Sequence, residues 1–89
     1  MSQIEKLIIR LIGYPRDFTW EELIKIFRYF GFNELKTGKT GGSRRKFVDG
    51  ERRVISLHKP HPKNILKRYQ IEDVIRALQE IGYLNEWDN

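Results

Sequence analysis

Ser43-Arg44-Arg45-Lys46-Phe47-Val48-Asp49-Gly50-Glu51-Arg52-Arg53-Val54-Ile55-Ser56-Leu57-His58 decides the fold. Ser43 to Val48 and Arg53 to His58 read as the two strands of a β-hairpin around Asp49-Gly50, a strong turn signal. Side chains alternate between the faces of a strand, so the apolar residues fix its orientation. Phe47 is the natural core residue of the first strand and places Ser43 and Arg45 on its side. Ile55 and Leu57 are core in the second and send Val54, Ser56 and His58 the other way. A two-residue loop at Asp49-Gly50 would set the core residues of the two strands on opposite faces. A three-residue loop, Asp49-Gly50-Glu51, pairs Val48 with Arg52 and keeps the faces consistent. In that register Arg44 sits opposite Ser56 and diagonal to His58. Arg44, Lys46, Ser56 and His58 then share the face turned away from the helices.

Working outward, Thr40-Gly41-Gly42 is a break, and Phe32 to Lys39 reads as a first, partly polar strand. Beyond His58, Pro60 and Pro62 cannot continue a ladder, and Lys63 to Tyr69 is a basic loop. Helical spacing governs both ends. Ile4, Leu7, Ile8, Leu11 and Ile12 follow a Ser2/Glu5 capping box and stop at Gly13. Trp20, Leu23, Ile24, Phe27 and Phe30 follow a Thr19/Glu22 box and stop at Gly31, with Phe18 placed to staple onto Leu23. Ile71, Val74, Ile75, Leu78 and Ile81 form a last helix closed by Gly82, and Leu84 and Trp87 are placed to fold back onto the core. The acids Glu21, Glu22, Glu72 and Asp73 suit helix first turns, where the dipole favours negative charge. The order helix, helix, strand, strand, strand, helix gives an α+β fold, a three-stranded antiparallel sheet with helices on one face.

Eighty-nine residues with 39% apolar and 33% charged side chains suit one small globular domain. Without cysteine there is no disulfide, thiol catalysis or thiolate-bound metal. Apolar runs are far too short for a membrane span, and no secretory leader is visible, so a cytoplasmic protein is expected. The net charge of +5 is segregated. Residues 36–68 hold eleven Lys/Arg and two acids, a net of +9, whereas the rest holds six basic and ten acidic residues, a net of −4. A solvated charged face accounts for an arbitrary run of this kind, but segregation around glycines points to a phosphate-bearing partner.

The hairpin supplies the side chains that metal-free RNA cleavage uses. Histidine titrates near neutral pH and can move protons, and the planar arginine fork binds two phosphate oxygens. Each residue also has a plainer reading. His58 serves equally well as a strand-end histidine bonded to a carbonyl, and His61, between two prolines, as a loop residue. Gly41 and Gly42 are most simply turn glycines. Arg44 and Lys46 could merely solubilise an open sheet, and Tyr69 either packs the loop or stacks on a base. Two histidines separated by Lys59-Pro60 with no nearby carboxylate do not make a metal site, and nothing calls for a small-molecule cofactor.

Gly31-Phe32, Gly42-Ser43 leading a basic strand that ends in an aromatic, Ile55-Ser56-Leu57-His58-Lys59-Pro60-His61-Pro62, and Asn64-Ile65-Leu66-Lys67 before a helix together resemble the HicA toxins of bacterial toxin–antitoxin pairs. The resemblance covers about Thr19 to Leu84, the domain core, and leaves residues 2–12 as an N-terminal helical extension of a single 1–89 domain. It implies a double-stranded-RNA-binding-domain-like fold, mRNA cleavage without the ribosome, and a HicB antitoxin that covers the active surface. The family motif reads Gly-Ser-His, two residues, then an aromatic. Gly42, Ser43 and Phe47 match it, and Arg44 occupies the place of the catalytic histidine. Arginine is not a proton acceptor at neutral pH, which leaves His58 as the candidate catalytic residue. Lys39, Gly42, Ser43, Arg44, Lys46, Lys59 and Lys63 are the candidate RNA-binding residues. The alternative is a HicA-like module that binds RNA or its antitoxin without cleaving. A weaker one is a protein-interaction domain whose basic face meets an acidic partner.

Overall fold

The computed structural model describes residues 2–35, 44–85 and 87. The described residues form α1 (Gln3–Ile12), α2 (Trp20–Tyr29), β1 (Asn33–Leu35), β2 (Arg44–Val48), β3 (Val54–His58) and α3 (Arg68–Ile81), the α+β order expected. Both capping boxes form. The Ser2 hydroxyl accepts from the Glu5 amide at 3.2 Å while Glu5 accepts from the Ser2 amide at 2.9 Å. Thr19 and Glu22 do the same at 3.1 and 2.9 Å. Each box satisfies amides that a helix start leaves without an intrahelical partner. Gly31 and Gly82 have φ of +88° and +101°, the left-handed region that favours glycine, as each chain segment leaves its helix.

The strands form one antiparallel sheet in the order β1-β2-β3. Phe47, Ile55 and Leu57 are buried on the helix side. Phe47 meets Phe27 and Trp20 with ring centroids 4.7 and 5.8 Å apart, and Phe27 meets Phe32 at 5.4 Å. Burying a side chain of this size contributes roughly 1.5–3 kcal/mol by transfer alone, so this aromatic group welds α2 to the sheet. The N-terminal helix belongs to the same packing. Ile8 and Leu11 are fully buried, and α1 touches both α2 and α3. Arg10 stitches α1 to the start of α2, pairing with Asp17 and, at 2.7 Å, with Glu22. Phe18 is fully buried beneath the Arg10 guanidinium, and Leu84 is buried while Trp87 packs partly buried against the core.

The sequence expectations are corrected at several points. The hairpin register is Val48↔Val54, Phe47↔Ile55, Lys46↔Ser56, Arg45↔Leu57 and Arg44↔His58, not the one that pairs Val48 with Arg52. The cause is Asp49. Its carboxylate accepts from the amides of Glu51 and Arg53, both at 2.9 Å, and its own amide donates to the Arg53 carbonyl at 3.1 Å. The three-residue loop is therefore Gly50-Glu51-Arg52, one position later, with Arg52 taking the left-handed φ of +66° that such loops need. A shift of two residues between partners leaves every side chain on its expected face. β1 starts at Asn33 rather than Phe32, the part of that expected strand from Lys36 to Lys39 lies outside the described residues, and β3 starts at Val54 rather than Arg53. Arg68 and Tyr69 belong to α3 rather than to the basic loop, because Gln70 accepts from the Lys67 amide at 3.0 Å and starts the helix there. Glu72 and Asp73 consequently lie beyond the first turn, which holds no acid.

Candidate nucleic-acid-facing site

One face of the sheet packs on the helices and the other is open. On the open face the cross-strand rows are Arg44–His58, Leu35–Lys46–Ser56 and Asn33–Val48–Val54. Arg44, Lys46, Ser56 and His58 are all exposed, so the structure brings together the four side chains the sequence assigns to that face. The register correction tightens the group: His58 is the direct partner of Arg44. Residues directly opposed in an antiparallel pair hold their Cβ atoms about 4.5–5.5 Å apart. The diagonal neighbour, Ser56, receives a hydrogen bond from Arg44 Nη1 at 2.8 Å. That bond uses one of the five donors of the guanidinium.

Arg45 points to the opposite face and pairs with Glu34 at 3.3 Å, so it is not part of this group. Lys59 is half-buried and Lys63 exposed in the segment that leaves the sheet after His58. A bridge between Thr19 and Ile65 holds that segment to the entrance of α2, with the Trp20 amide donating to the Asn64 carbonyl at 2.7 Å. His61 is exposed in the same segment, before a cis peptide bond to Pro62. Lys39, Gly42 and Ser43 lie outside the described residues.

The end of β3 is fixed from below. Gln70, almost fully buried, donates through Nε2 to the His58 carbonyl at 2.7 Å while its Oε1 holds the Lys67 amide. This clamp joins the backbone of His58 to the start of α3 and opens a recess of about 170 Å³ between them. Arg44, Ser56, His58, Tyr69, Gln70 and Asp73 line it. Gln70 and Asp73 do not figure in the sequence reading of the site. The available signal is the spacing of Tyr69 and Asp73, four residues apart and so neighbours on one helical face once the helix starts at Arg68.

A second polar group lies at the hairpin turn. Asp49, buried, accepts from Arg53 Nε and from the Tyr83 hydroxyl, both at 2.9 Å. Burial alone would raise its carboxyl, but the Arg53 amide, the Tyr83 hydroxyl, the Arg53 guanidinium and the Glu51 amide outweigh it and hold Asp49 at about 2. Tyr83 is pushed up by burial and by its bond to Asp49. The group anchors the turn to the C-terminal segment.

Among the described residues no cluster of His, Asp or Glu could hold a metal ion, and no helix is long and apolar enough to cross a membrane. No curated protein and no solved structure matches the chain. Residues 20–83 do match a family model, described as the HicA toxin of bacterial toxin-antitoxin. The match starts at the first residue of α2 and ends just after α3, taking in the whole sheet and leaving α1 outside. Covering well over half of the chain, it shows that this protein belongs to the HicA toxin family, the toxin side of a toxin–antitoxin pairing.

Proposed function

We propose that the open sheet face binds RNA and cleaves it, making the protein a metal-independent endoribonuclease that acts on mRNA. The observation that carries this reading is the pairing of an exposed arginine with an exposed histidine across one ladder, Arg44↔His58, with Ser56 holding the arginine. Arg44 and Lys46 bind the non-bridging oxygens of a phosphodiester and offset the charge that grows on them as the 2′-oxygen attacks. His58 moves the proton. Its imidazole accepts the 2′-hydroxyl proton as the P–O2′ bond forms, or as imidazolium gives one to the 5′-oxygen as the P–O5′ bond breaks, and water makes the other transfer. The products are a 2′,3′-cyclic phosphate and a 5′-hydroxyl. Lys59 and Lys63 extend the positive field along the strand, and Lys39, Gly42 and Ser43 stay in the proposed RNA-binding set on their sequence alone.

In this reading the proton-transfer group has moved one strand across. The HicA-like motif places its histidine at the position of Arg44, and His58 is the residue directly opposite. The cationic face is also the surface that a HicB-like antitoxin would cover. Arginine at the motif position favours a second reading, in which the protein binds RNA or its antitoxin and does not cut. One assay separates the two: labelled single-stranded mRNA with the protein in excess chelator, beside His58→Ala. Cleavage that falls by about 10²–10⁴ in the variant supports His58 as the proton-transfer residue. Salt-sensitive binding without product supports the non-cleaving reading, and equal cleavage by both proteins removes His58 from the chemistry.

A further inference from the structure

We propose that the recess between β3 and α3 is a base-binding subsite that takes a guanine from the strand held on the open face. Tyr69 is its stacking platform and Asp73 the acceptor for its Watson–Crick edge. The inference rests on the reading of the open face as RNA-binding and adds a specificity to it.

The lining of the recess is chemically divided. Arg44, Ser56 and His58 form the side on β2 and β3, and Tyr69 and Asp73 form the side on α3. A carboxylate repels phosphate, so Asp73 is out of place in a surface built only for the backbone. It is well placed for a group that presents N–H donors. Its ion pair with Arg76 is long, 3.9 Å, between two side chains more than three-fifths exposed, and leaves its oxygens with capacity to accept. Tyr69 is 53% exposed although it stands next to the buried Gln70. Four residues apart on α3, the two side chains lie roughly 5–6 Å apart at Cβ, so a ring stacked on Tyr69 presents its edge to Asp73. Single-stranded RNA is read in this way, with a splayed base stacked on an aromatic ring and bonded along its edge.

Size and donor pattern narrow the ligand. A recess of about 170 Å³ is smaller than the roughly 300–1,000 Å³ of drug-sized sites and suits one planar base with its sugar and phosphate outside. A carboxylate offers only acceptors, in two adjacent oxygens. Guanine presents two adjacent donors, N1–H and the 2-amino group. Adenine and cytosine present one amino group beside an acceptor nitrogen, and uracil sets one N–H between two carbonyls that would face the carboxylate. Gln70 is almost fully buried with both ends of its amide bonded to backbone, which leaves Asp73 as the exposed acceptor on the α3 side.

Fluorescence anisotropy with the full chain tests this, using 2′-O-methylated heptamers that cannot be cleaved. The probes are all uridine, or uridine with one central guanosine or inosine. The guanosine oligomer should bind about tenfold tighter than the all-uridine one, and inosine, which lacks the 2-amino group, should lose about threefold of that gain. Asp73→Asn should abolish the preference without weakening all-uridine binding, because Asp73 is exposed and touches no backbone phosphate in this arrangement. Tyr69→Ala should weaken the guanosine oligomer most, and Tyr69→Phe should restore it. Salt-sensitive binding that is equal for guanosine and uridine overturns the subsite and leaves the RNA-binding face standing. A preference that survives in Asp73→Asn removes Asp73 as the reader. No binding to any oligomer overturns both.

Discussion

The two faces of β2 and β3 are made from alternate residues of the same ten-residue ladder, and they are opposites. On the helix side Phe47, Ile55 and Leu57 are buried, and Arg45, the one cation there, is paired with Glu34. On the open side Arg44, Lys46, Ser56 and His58 are exposed, and Arg44 donates a hydrogen bond to Ser56 across the strands. Period-two alternation thus separates the residues that hold the fold from the polar ones left open to solvent. The separation predicts that substitutions on one face change stability and those on the other change binding, although sequence neighbours differ by a single residue.

The most severe way to break that separation is at Phe47. Phe47→Ala removes the ring that meets both Trp20 and Phe27 and leaves a cavity between α2 and the sheet. A cost of about 3–5 kcal/mol is expected in urea or guanidinium unfolding, with RNA affinity kept in whatever fraction stays folded. A loss near 1 kcal/mol would mean that the helix layer collapses onto the gap and that the two faces are less independent than the ladder implies.

That boundary was legible in the sequence because it depends only on alternation, and Phe47, Ile55 and Leu57 alternate cleanly. The capping boxes at Ser2 and Thr19 were legible for a similar reason, being local rules with fixed spacing. What failed depended on a bond no pattern announces. The turn slid by one residue because the Asp49 carboxylate prefers the amides of Glu51 and Arg53. Its buried position in turn depends on Tyr83, thirty-four residues away. Placing the start of α3 needed the contact of Gln70 with the His58 carbonyl and the Lys67 amide, and without it Tyr69 and Asp73 had no shared face. Membership of α1 in the core was hidden as well, since a helical period says which face is apolar and not what covers it.

The turn anchor tests whether the open face depends on distant support. The folded carboxyl of Asp49, at about 2, lies below the ordinary aspartate value of about 3.9, so the fold favours its charged form. Its contribution is complete above the ordinary value and is lost as pH falls through about 2. Tyr83 is shifted upward, so the fold favours its neutral phenol, and that contribution is present below about pH 10 and lost as pH rises. Asp49→Asn should therefore lower the melting temperature at neutral pH and flatten the decline between about pH 4 and 2. Tyr83→Phe should cost about 1 kcal/mol and flatten the alkaline limb. Thermal melts across pH read both. Unchanged limbs would show that the anchor is not linked to folding. RNA binding that falls along with stability would show that the turn also sets the register of Arg44 and His58.

The smallest expected change in stability comes from the open face, and it sharpens the comparison most. Lys46→Ala removes an exposed cation flanked in its row by Leu35 and Ser56, and its folding free energy should stay within about 0.5 kcal/mol of the parent. RNA affinity should nevertheless drop at low salt, and the slope of log K against log salt should become shallower by about 0.7, the counterion equivalent of one phosphate contact on a single strand. Arg44→Lys separates charge from shape at the neighbouring position. A lysine keeps the slope but cannot hold Ser56 and a phosphate together through a planar fork, so binding should hold while cleavage falls. If Arg44→Lys cuts as well as the parent, Arg44 contributes charge alone, and the ordered pair Arg44–Ser56 is only a feature of the fold.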